Sequence, residues 1–503
     1  MSLLNSTVER RRLFVSTLLA CALTICAADA QQWPSSNPPG PLSSKPVDFP
    51  PYEIKTLPNG LQVLVVLHHE QPSVSFRLLV RAGAVQEPAA SPGVANFVSG
   101  LLTQGTRTKS AGDIANSIES AGGIIGSGSG NELTFLSGAV IKDQTDLMLS
   151  LASDIVQNPA FAQDELDRRR SQTLSSLEVS YDDPDYLASL VFDRLVFGFH
   201  PYGRPTEGTR ESISKLTRDD LVAYHHNWFV PNNSLLAIVG DLTADEAFAA
   251  AQKAFGGWAR RDVPDVKAIE PPPPTRRVVV IDRPGSAQTE IRVGHIAVPR
   301  TNPDYVPLDL AIRILGGEGA NRLFGVLRSD RGLTYGASAD LNTYKVSGDI
   351  VAETDTRSSA TGESLRLMVD EFFRLQKEPV NPQELRGAQE FLAGNFPLTI
   401  ESPGAIAQQV LAHLFFGLDL SEIKTYRDRV DRVTTMDIQR VAKDFLKPDQ
   451  LSIVLVGDAS VFSSQLKALG FGEFERIPIA DLDLSSPTLR RSARLPDALP
   501  LSK

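Results

Sequence analysis

Two stretches of the chain end a buried strand in the same way: residues 229–241, FVPNNSLLAIVGD, and residues 445–458, FLKPDQLSIVLVGD. Each contains an aromatic residue, a turn, an apolar run rich in β-branched residues, and a final Gly-Asp. A helical pattern follows both and ends at Phe255-Gly256 and at Phe471-Gly472. The same order at a spacing of about one domain predicts a duplicated α+β unit. A chance similarity of two strand ends is the alternative.

The segments before these stretches also repeat. Strands are predicted at residues 61–67 and 75–80 in the first half and at 277–281 and 289–295 in the second. Helical periodicity follows in both halves, at residues 111–118 and 308–315. Because the strands and helices are segregated along the chain, layered α+β domains are favoured over a doubly wound sheet. The predicted fold class is therefore α+β, with two homologous domains.

Length and charge limit the possible functions. A chain of 503 residues exceeds the size at which a single core usually keeps growing, so two domains or more are expected. Its 42% apolar and 22% charged residues are typical of a globular protein. The net charge of −10 argues against nonspecific binding of nucleic acid, which is not an expected partner.

The first thirty residues have the pattern of a signal peptide. A basic segment, Glu9-Arg10-Arg11-Arg12, precedes an apolar run over residues 13–27 and the cleavage pattern Ala28-Asp29-Ala30. We therefore expect an exported protein of the periplasm or cell envelope. An uncleaved membrane anchor is the alternative, although the run is shorter than the about 20 residues that span a bilayer. Lipoprotein-like residues at Leu18-Leu19-Ala20-Cys21 and a twin-arginine-like start leave a lipid anchor and the export route open.

The remaining chain is divided by composition. Both cysteines, Cys21 and Cys26, lie in the predicted signal, so no disulfide or thiol chemistry is expected in the mature chain. The run Pro271–Pro274 indicates a semi-rigid linker. The predicted segments are a signal peptide at 1–30, a Pro/Ser-rich leader at 31–51, domains at 52–265 and 276–480 joined by a linker at 266–275, and a tail at 481–503.

Six segments, in this order, resemble the pitrilysin/insulinase family of metallopeptidases, especially two-domain chains such as the subunits of mitochondrial processing peptidase and their bacterial relatives. They are LPNGL at 57–61 as an opening strand, RAGA at 81–84, GVANFVSGLLTQGT at 93–106 as a metal-binding helix, YDDP at 181–184, FHPYG at 199–203, and FGVLRSDRGLTY at 324–335. The resemblance implies two homologous α+β domains that form half of a clamshell around a peptide.

The resemblance also implies that the metal site is degenerate. In the family motif H-x-x-E-H, two His bind zinc and the Glu is the general base. The matching positions here are Asn96, Ser99 and Gly100, and Ser176 stands at the position of the third ligand. A helix would place the nearby Glu178 about 200° around from that site. We therefore expect no zinc in this chain.

Two family residues are retained in the second half, Arg328 and Tyr335. In active members an Arg and a Tyr at this spacing contact the substrate backbone near the scissile bond, where they stabilise developing negative charge. The resemblance implies the same substrate-binding and transition-state role here. The alternative is that Arg328 is a solvated helix residue and Tyr335 an aromatic that packs within a strand.

The resemblance predicts an exported subunit that is inactive alone and works with a homologous subunit, which carries H-x-x-E-H and the zinc, in a heteromeric metalloendopeptidase. An extended peptide would bind as an added strand on a sheet edge. One alternative is a peptide-binding or scaffold homodimer without proteolytic activity. Another is a peptidase with a rebuilt metal site, which Gly100 argues against.

Two further patterns have a structural interpretation. Residues 126–130, GSGSG, invite a phosphate-loop interpretation, but the strand pattern that follows favours a hairpin near the chamber. Residues 165–170, ELDRRR, indicate a solvated helix face, with contact to a partner chain as the alternative.

Overall fold

The computed structural model describes residues 49–266, 269–317 and 321–491. The predicted signal peptide and most of the leader lie outside these residues. The strands are β1 (Tyr52–Thr56), β2 (Gln62–Leu67), β3 (Ser73–Val80), β4 (Ile124–Ser129), β5 (Thr134–Ile141), β6 (Ser234–Gly240), β7 (Arg277–Asp282), β8 (Gln288–Ala297), β9 (Ala337–Thr343), β10 (Gly348–Arg357), β11 (Ser452–Gly457) and β12 (Glu475–Pro478).

The strands form two six-stranded sheets whose topology repeats. The first sheet has the order β1-β2-β6-β3-β5-β4 and the second β12-β7-β11-β8-β10-β9. In each, the second and third strands are parallel and the following pairs antiparallel. The two stretches quoted first supply β6 and β11, which occupy the same place in the two sheets. The predicted α+β fold with two homologous domains is confirmed.

Sixteen helices surround the sheets of the described residues. They are α1 (Val94–Leu101), α2 (Ala111–Ser120), α3 (Thr145–Gln157), α4 (Gln163–Ser180), α5 (Pro184–Phe197), α6 (Arg210–Lys215), α7 (Arg218–Trp228), α8 (Ala244–Phe255), α9 (Tyr305–Gly316), α10 (Arg322–Phe324), α11 (Thr361–Lys377), α12 (Pro382–Asn395), α13 (Pro403–Phe416), α14 (Ser421–Asp431), α15 (Thr435–Phe445) and α16 (Ala459–Ala468). None of the helices in this part of the chain is long and apolar enough to cross a membrane.

The central strands are buried on both faces, so each sheet requires a cover on each side. Every residue of β6 is buried. Because side chains alternate along a strand, Leu236 and Ile238 enter one core while Leu235 and Val239 enter another. The first core is formed with helices of the same half. The second is formed with Val410 and other apolar residues of α13.

The covering helices are exchanged between the halves. Helix α13 belongs to the second half of the chain but packs on β3 and β6 of the first sheet. Helix α5 belongs to the first half and packs on β8 and β11 of the second sheet, where Val191 shares a buried cluster with Val454 and Val456. Helix α5 thus lies within the predicted domain at 52–265 but contributes its apolar side chains to the core beside the second sheet.

Two segments differ from their sequence-based interpretation. Residues 57–61 are a turn between β1 and β2 and not an opening strand, because Gly60 adopts φ +94° and its N–H donates to the Leu57 carbonyl at 2.8 Å. The segment predicted as a tail begins inside the fold, since Leu482 and Leu489 are buried against the second sheet.

Candidate functional site

Helix α1 carries the first group of candidate residues and is held at its start by a buried carboxylate. Gly93, which precedes it, adopts φ +91° and has no side chain to cap the helix. The carboxylate of Glu87 accepts hydrogen bonds from the backbone N–H groups of Gly93 and Ala95, both at 2.9 Å. Burial raises the pKa of Glu87 to about 8, although these donors act in the opposite direction. Glu87 thus takes the place of an N-cap residue and fixes the direction of α1.

The three candidate residues of α1 do not share one face. Asn96 and Gly100, four residues apart, both face α4. Ser99 is buried; its hydroxyl donates to the Asn96 carbonyl at 2.9 Å and contacts the hydroxyl of Ser129 in β4 at 3.3 Å. Asn96 and Gly100 therefore both face Arg169 of α4, while Ser99 points towards the edge strand.

An arginine from α4 occupies the space beside Gly100. The guanidinium of Arg169 donates to the Asn96 Oδ1 at 3.1 Å. A Cβ atom built on Gly100 would lie 2.9 Å from the Arg169 Cζ, closer than real Cβ contacts. A histidine at residue 100 would therefore have to displace this guanidinium.

The prediction that residues 165–170 form a solvated face is wrong for Arg169 and Arg170. Arg168 is exposed and pairs with Glu165, as expected. Arg170, however, donates to the carbonyl groups of Ile213 and Leu216. The long apolar stems of arginines can cover an inward helix face, so a charge run need not be solvated.

Arg169 has few partners among the described residues. Its Nε is buried without a hydrogen-bond partner, and it forms no ion pair with a carboxylate in this part of the chain. Burial lowers the pKa of Arg169, and the positive charge of Arg168 acts in the same direction; the carboxylate of Glu207 opposes both. The guanidinium is therefore a half-buried cation without a close counter-ion.

A cavity of about 230 Å³ lies in front of this guanidinium. Its walls include Asn96 of α1, Arg169, Thr173 and Ser176 of α4, and Glu207. The structure thus brings two predicted metal-site positions, Asn96 and Ser176, to one cavity.

The residues around the cavity do not fit a zinc ion. Zinc is bound by imidazole, thiolate or carboxylate groups, and this cavity offers amides, hydroxyls, one carboxylate and a cation. Across residues 49–266, 269–317 and 321–491, no three His, Cys, Asp or Glu side chains come close enough to share a metal ion. A guanidinium at this position would also repel the ion.

The second group of candidate residues lies near the edge of the second sheet. Helix α10 continues as a π-helix, Gly325–Ser329, from which Arg328 Nη1 donates to the Tyr335 carbonyl at 2.7 Å. The Arg328 guanidinium also lies 4.9 Å from the centre of the Phe324 ring. The Tyr335 side chain is 83% exposed, so it is not an aromatic that packs within a strand. The two residues are adjacent, and the phenol points into solvent.

Both sheets have a free edge close to these groups. Strand β4 forms the edge of the first sheet, and the predicted hairpin is present, since β4 pairs with β5 around a turn closed by Gly130 and Leu133. The Ser127 hydroxyl donates to the Ser99 carbonyl at 2.7 Å and ties β4 to α1. Strand β9, which begins two residues after Tyr335, is the corresponding edge of the second sheet. An extended peptide can pair with such an edge.

Sequence reasoning missed Arg169 and Glu87. Arg169 lies seven residues before Ser176, and two helical turns place these residues on one face. That spacing was a usable signal once Ser176 had been assigned. No sequence pattern points to Glu87, because it accepts hydrogen bonds from backbone N–H groups at the other end of a loop.

Comparison with known proteins places this geometry in a family. The model described as "Insulinase (Peptidase family M16)" matches residues 62–210, and the one described as "Peptidase M16 inactive domain" matches residues 215–392. An uncharacterized zinc protease of Mycobacterium bovis is 27% identical over 420 residues, which are 82% of this chain and 95% of that protein.

Solved structures agree with these matches. A crystal structure of a peptidase M16 inactive domain from Pseudomonas fluorescens has a TM-score of 0.77 at 29% identity and covers 81% of this chain and 98% of that one. A protease from Helicobacter pylori has the same fold, with a TM-score of 0.76 at 20% identity, over 81% of this chain and 100% of that one. With its duplicated sheets and these matches to both halves, the chain belongs to the M16 (insulinase) peptidase family.

Proposed function

We propose that this protein is an exported, non-catalytic subunit of a zinc peptidase. It would supply Arg328, Tyr335 and a peptide-binding sheet edge to a homologous subunit that carries H-x-x-E-H and the zinc. The observation that carries the proposal is the guanidinium of Arg169, which stands against Gly100 where a ligand side chain would be needed. The other ligand positions, Asn96 and Ser176, bear neutral side chains that bind zinc poorly.

The first contribution of the chain is to hold the peptide. Strand β4 leaves its outer backbone N–H and C=O groups free to pair with an extended chain. A Cβ at Gly126 would meet no atom within 4 Å, so the strand has open space at this position. Binding by main-chain hydrogen bonds would accept many peptide sequences.

The second contribution is a pair of donors for charge that develops during peptide hydrolysis. Because Arg328 donates to the Tyr335 carbonyl, the backbone that carries the phenol is held in place, and the exposed hydroxyl has no hydrogen-bond partner among the described residues. A phenol hydroxyl can donate a hydrogen bond to an oxygen that gains negative charge. An arginine adds charge-assisted donors to the same region.

The first experiment is native purification of the mature chain from its own cell envelope, with mass spectrometry of what accompanies it in stoichiometric amount. A homologue of similar size with an intact H-x-x-E-H is expected. Recovery of the chain only with itself would contradict a heteromeric enzyme and favour the peptide-binding homodimer.

The second experiment measures turnover in the assembled complex. Tyr335→Phe removes only a hydroxyl, and loss of one such donor typically lowers turnover by about a hundredfold. Arg328→Ala should lower it as well, and neither change should alter the zinc content. Arg331→Ala is the matched control, since this nearby exposed arginine pairs only loosely with Glu363, at 3.8 Å. Unchanged turnover in Y335F would contradict the role of the pair.

A further inference from the structure

We infer that the cavity beside Arg169 is a carboxylate-binding subsite, which takes the C-terminal carboxylate or an acidic side chain of a bound peptide. The inference rests on the proposed function, because it needs a peptide on strand β4, beside α1. The position of the lost metal would then carry a fixed cation with a binding role of its own.

The state of Arg169 is the first argument. A guanidinium has five N–H donors, and the described residues give Arg169 one hydrogen bond, from Nη2 to Asn96. Glu207 attracts this half-buried cation without forming an ion pair with it, and such a cation is stabilised by a closer partner. Its donors can hold a carboxylate in the bidentate geometry that arginine favours.

The walls of the cavity are the second argument. Gln172, Thr173 and Ser176 follow Arg169 on α4 at spacings of three, four and seven residues, which place them along one helix face. Their amide and hydroxyl groups can donate to the remaining lone pairs of a carboxylate. A single guanidinium in a cavity of about 230 Å³ matches a small, singly charged group.

Glu207 is a competitor within the same cavity. Its carboxylate accepts a hydrogen bond from the Tyr186 hydroxyl at 3.1 Å and forms no ion pair with Arg169. It therefore leaves the guanidinium available, but its charge opposes an incoming carboxylate. Removing this charge by Glu207→Gln should strengthen carboxylate binding.

The test uses the full mature chain and three peptides of one otherwise neutral sequence. The first has a free C-terminal carboxylate, the second is amidated and contains one Glu, and the third is amidated without an acidic group. At least one carboxylate peptide should bind about tenfold to a hundredfold more tightly than the third, the range for a hydrogen-bonded charged pair. Comparison of the first two identifies which kind of carboxylate the subsite takes.

Substitutions test whether the tighter binding of a carboxylate-bearing peptide depends on Arg169. Arg169→Gln should abolish it, whereas the matched control Arg168→Gln, one residue away and exposed, should retain it. Ser176→Asp offers a second route that leaves Arg169 in place: its carboxylate would pair with the guanidinium and also abolish the preference. E207Q should increase the preference.

The outcomes separate this inference from the proposed function. If all three peptides bind equally well, the carboxylate subsite is overturned while peptide binding stands. If no peptide binds to the chain alone, the subsite and peptide binding by strand β4 are overturned, while the native purification decides separately whether the chain belongs to a heteromeric enzyme. A preference that survives in R169Q or in S176D also overturns the subsite.

Discussion

At the scale of single residues, Gly100 determines how helix α1 packs against helix α4. A glycine inside a helix is less stable than alanine by about 1 kcal/mol. Here its missing side chain leaves room for the Arg169 guanidinium, which bonds to Asn96 one turn earlier. The missing side chain at residue 100 and the position of the Arg169 cation are therefore linked by packing.

This arrangement predicts the result of placing zinc ligands at the positions that the family resemblance assigns. The variant N96H/G100H/S176E should not bind stoichiometric zinc while Arg169 remains, because the guanidinium lies in the space of the new ligands and repels the ion. Adding Arg169→Gln should permit binding. Metal content after equilibration with zinc and dialysis measures this, with Arg168→Gln in place of R169Q as the control. Stoichiometric zinc in the variant that retains Arg169 would contradict the explanation.

A second residue predicts how stability depends on pH. His295 is buried; its ring bonds to the Ile296 carbonyl at 2.7 Å and accepts the Lys447 N–H at 3.1 Å. Burial lowers the pKa of His295 to about 4. Because the unfolded chain, with a histidine pKa of about 6.5, binds more protons between these values, stability is lost as the pH falls through this window.

The expected loss from His295 is about 2 kcal/mol in the free energy of unfolding between about pH 7.5 and about pH 5. His295→Gln should reduce this pH dependence, because an amide can make similar hydrogen bonds without titrating. Urea unfolding at both pH values measures it, and His226→Gln, at an exposed position, is the control. An equal pH dependence in H295Q and H226Q would contradict the assignment.

The sequence was sufficient to identify the residues at the motif positions but not the side chains that pack against them in space. Asn96, Ser99 and Gly100 could be assigned because the motif fixes their spacing within one helix. Arg169 could not, since a charge run such as 165–170 usually faces solvent and its inward direction depends on how α4 packs on α1. Which side chain packs beside a given helix residue depends on tertiary packing.

At the scale of elements, hydrophobic periodicity predicted the first strands of each half and a helix that follows them. The predicted helix at 308–315 is α9, Tyr305–Gly316, and the predicted strand at 289–295 is β8, Gln288–Ala297. The prediction for residues 57–61 was wrong. Pro58, Asn59 and Gly60 are residues that favour a turn, but the family resemblance led to the prediction of a strand.

Periodicity could not predict the exchange of α5 and α13. An apolar helix face indicates that a helix is buried but not which sheet it covers. Residues of α5 such as Val191 would pack equally well against β6 or β11 as far as hydrophobicity is concerned. Chain connectivity and loop length decide between the two sheets, and neither is visible in a local pattern.

At the scale of the whole molecule, the exchanged helices predict that neither half is stable alone. A chain of residues 49–266 would expose the face of the first sheet that contains Leu235 and Val239 and would leave α5 without its partner. Large exposed apolar faces cause association. We expect each half alone to aggregate or bind a hydrophobic dye, and the co-expressed halves, 49–266 and 269–491, to purify together.

The control for this experiment carries Leu411→Asp in α13, which places a charge in the core shared with the first sheet. Co-purification of the halves should be lost in that variant. A soluble, monomeric, folded N-terminal half would show that α13 is not needed and would contradict the prediction.

The exchange of helices also has a consequence for the origin of this chain. A single ancestral unit, with one sheet and one outward-reaching helix, would be complete only when two identical copies covered each other. The gene for such a symmetric pair, once duplicated and joined through residues 266–275, would yield one polypeptide in which the copies need no longer be alike. The two copies could then diverge in sequence, and the ancestor of this two-domain chain would have been a dimer.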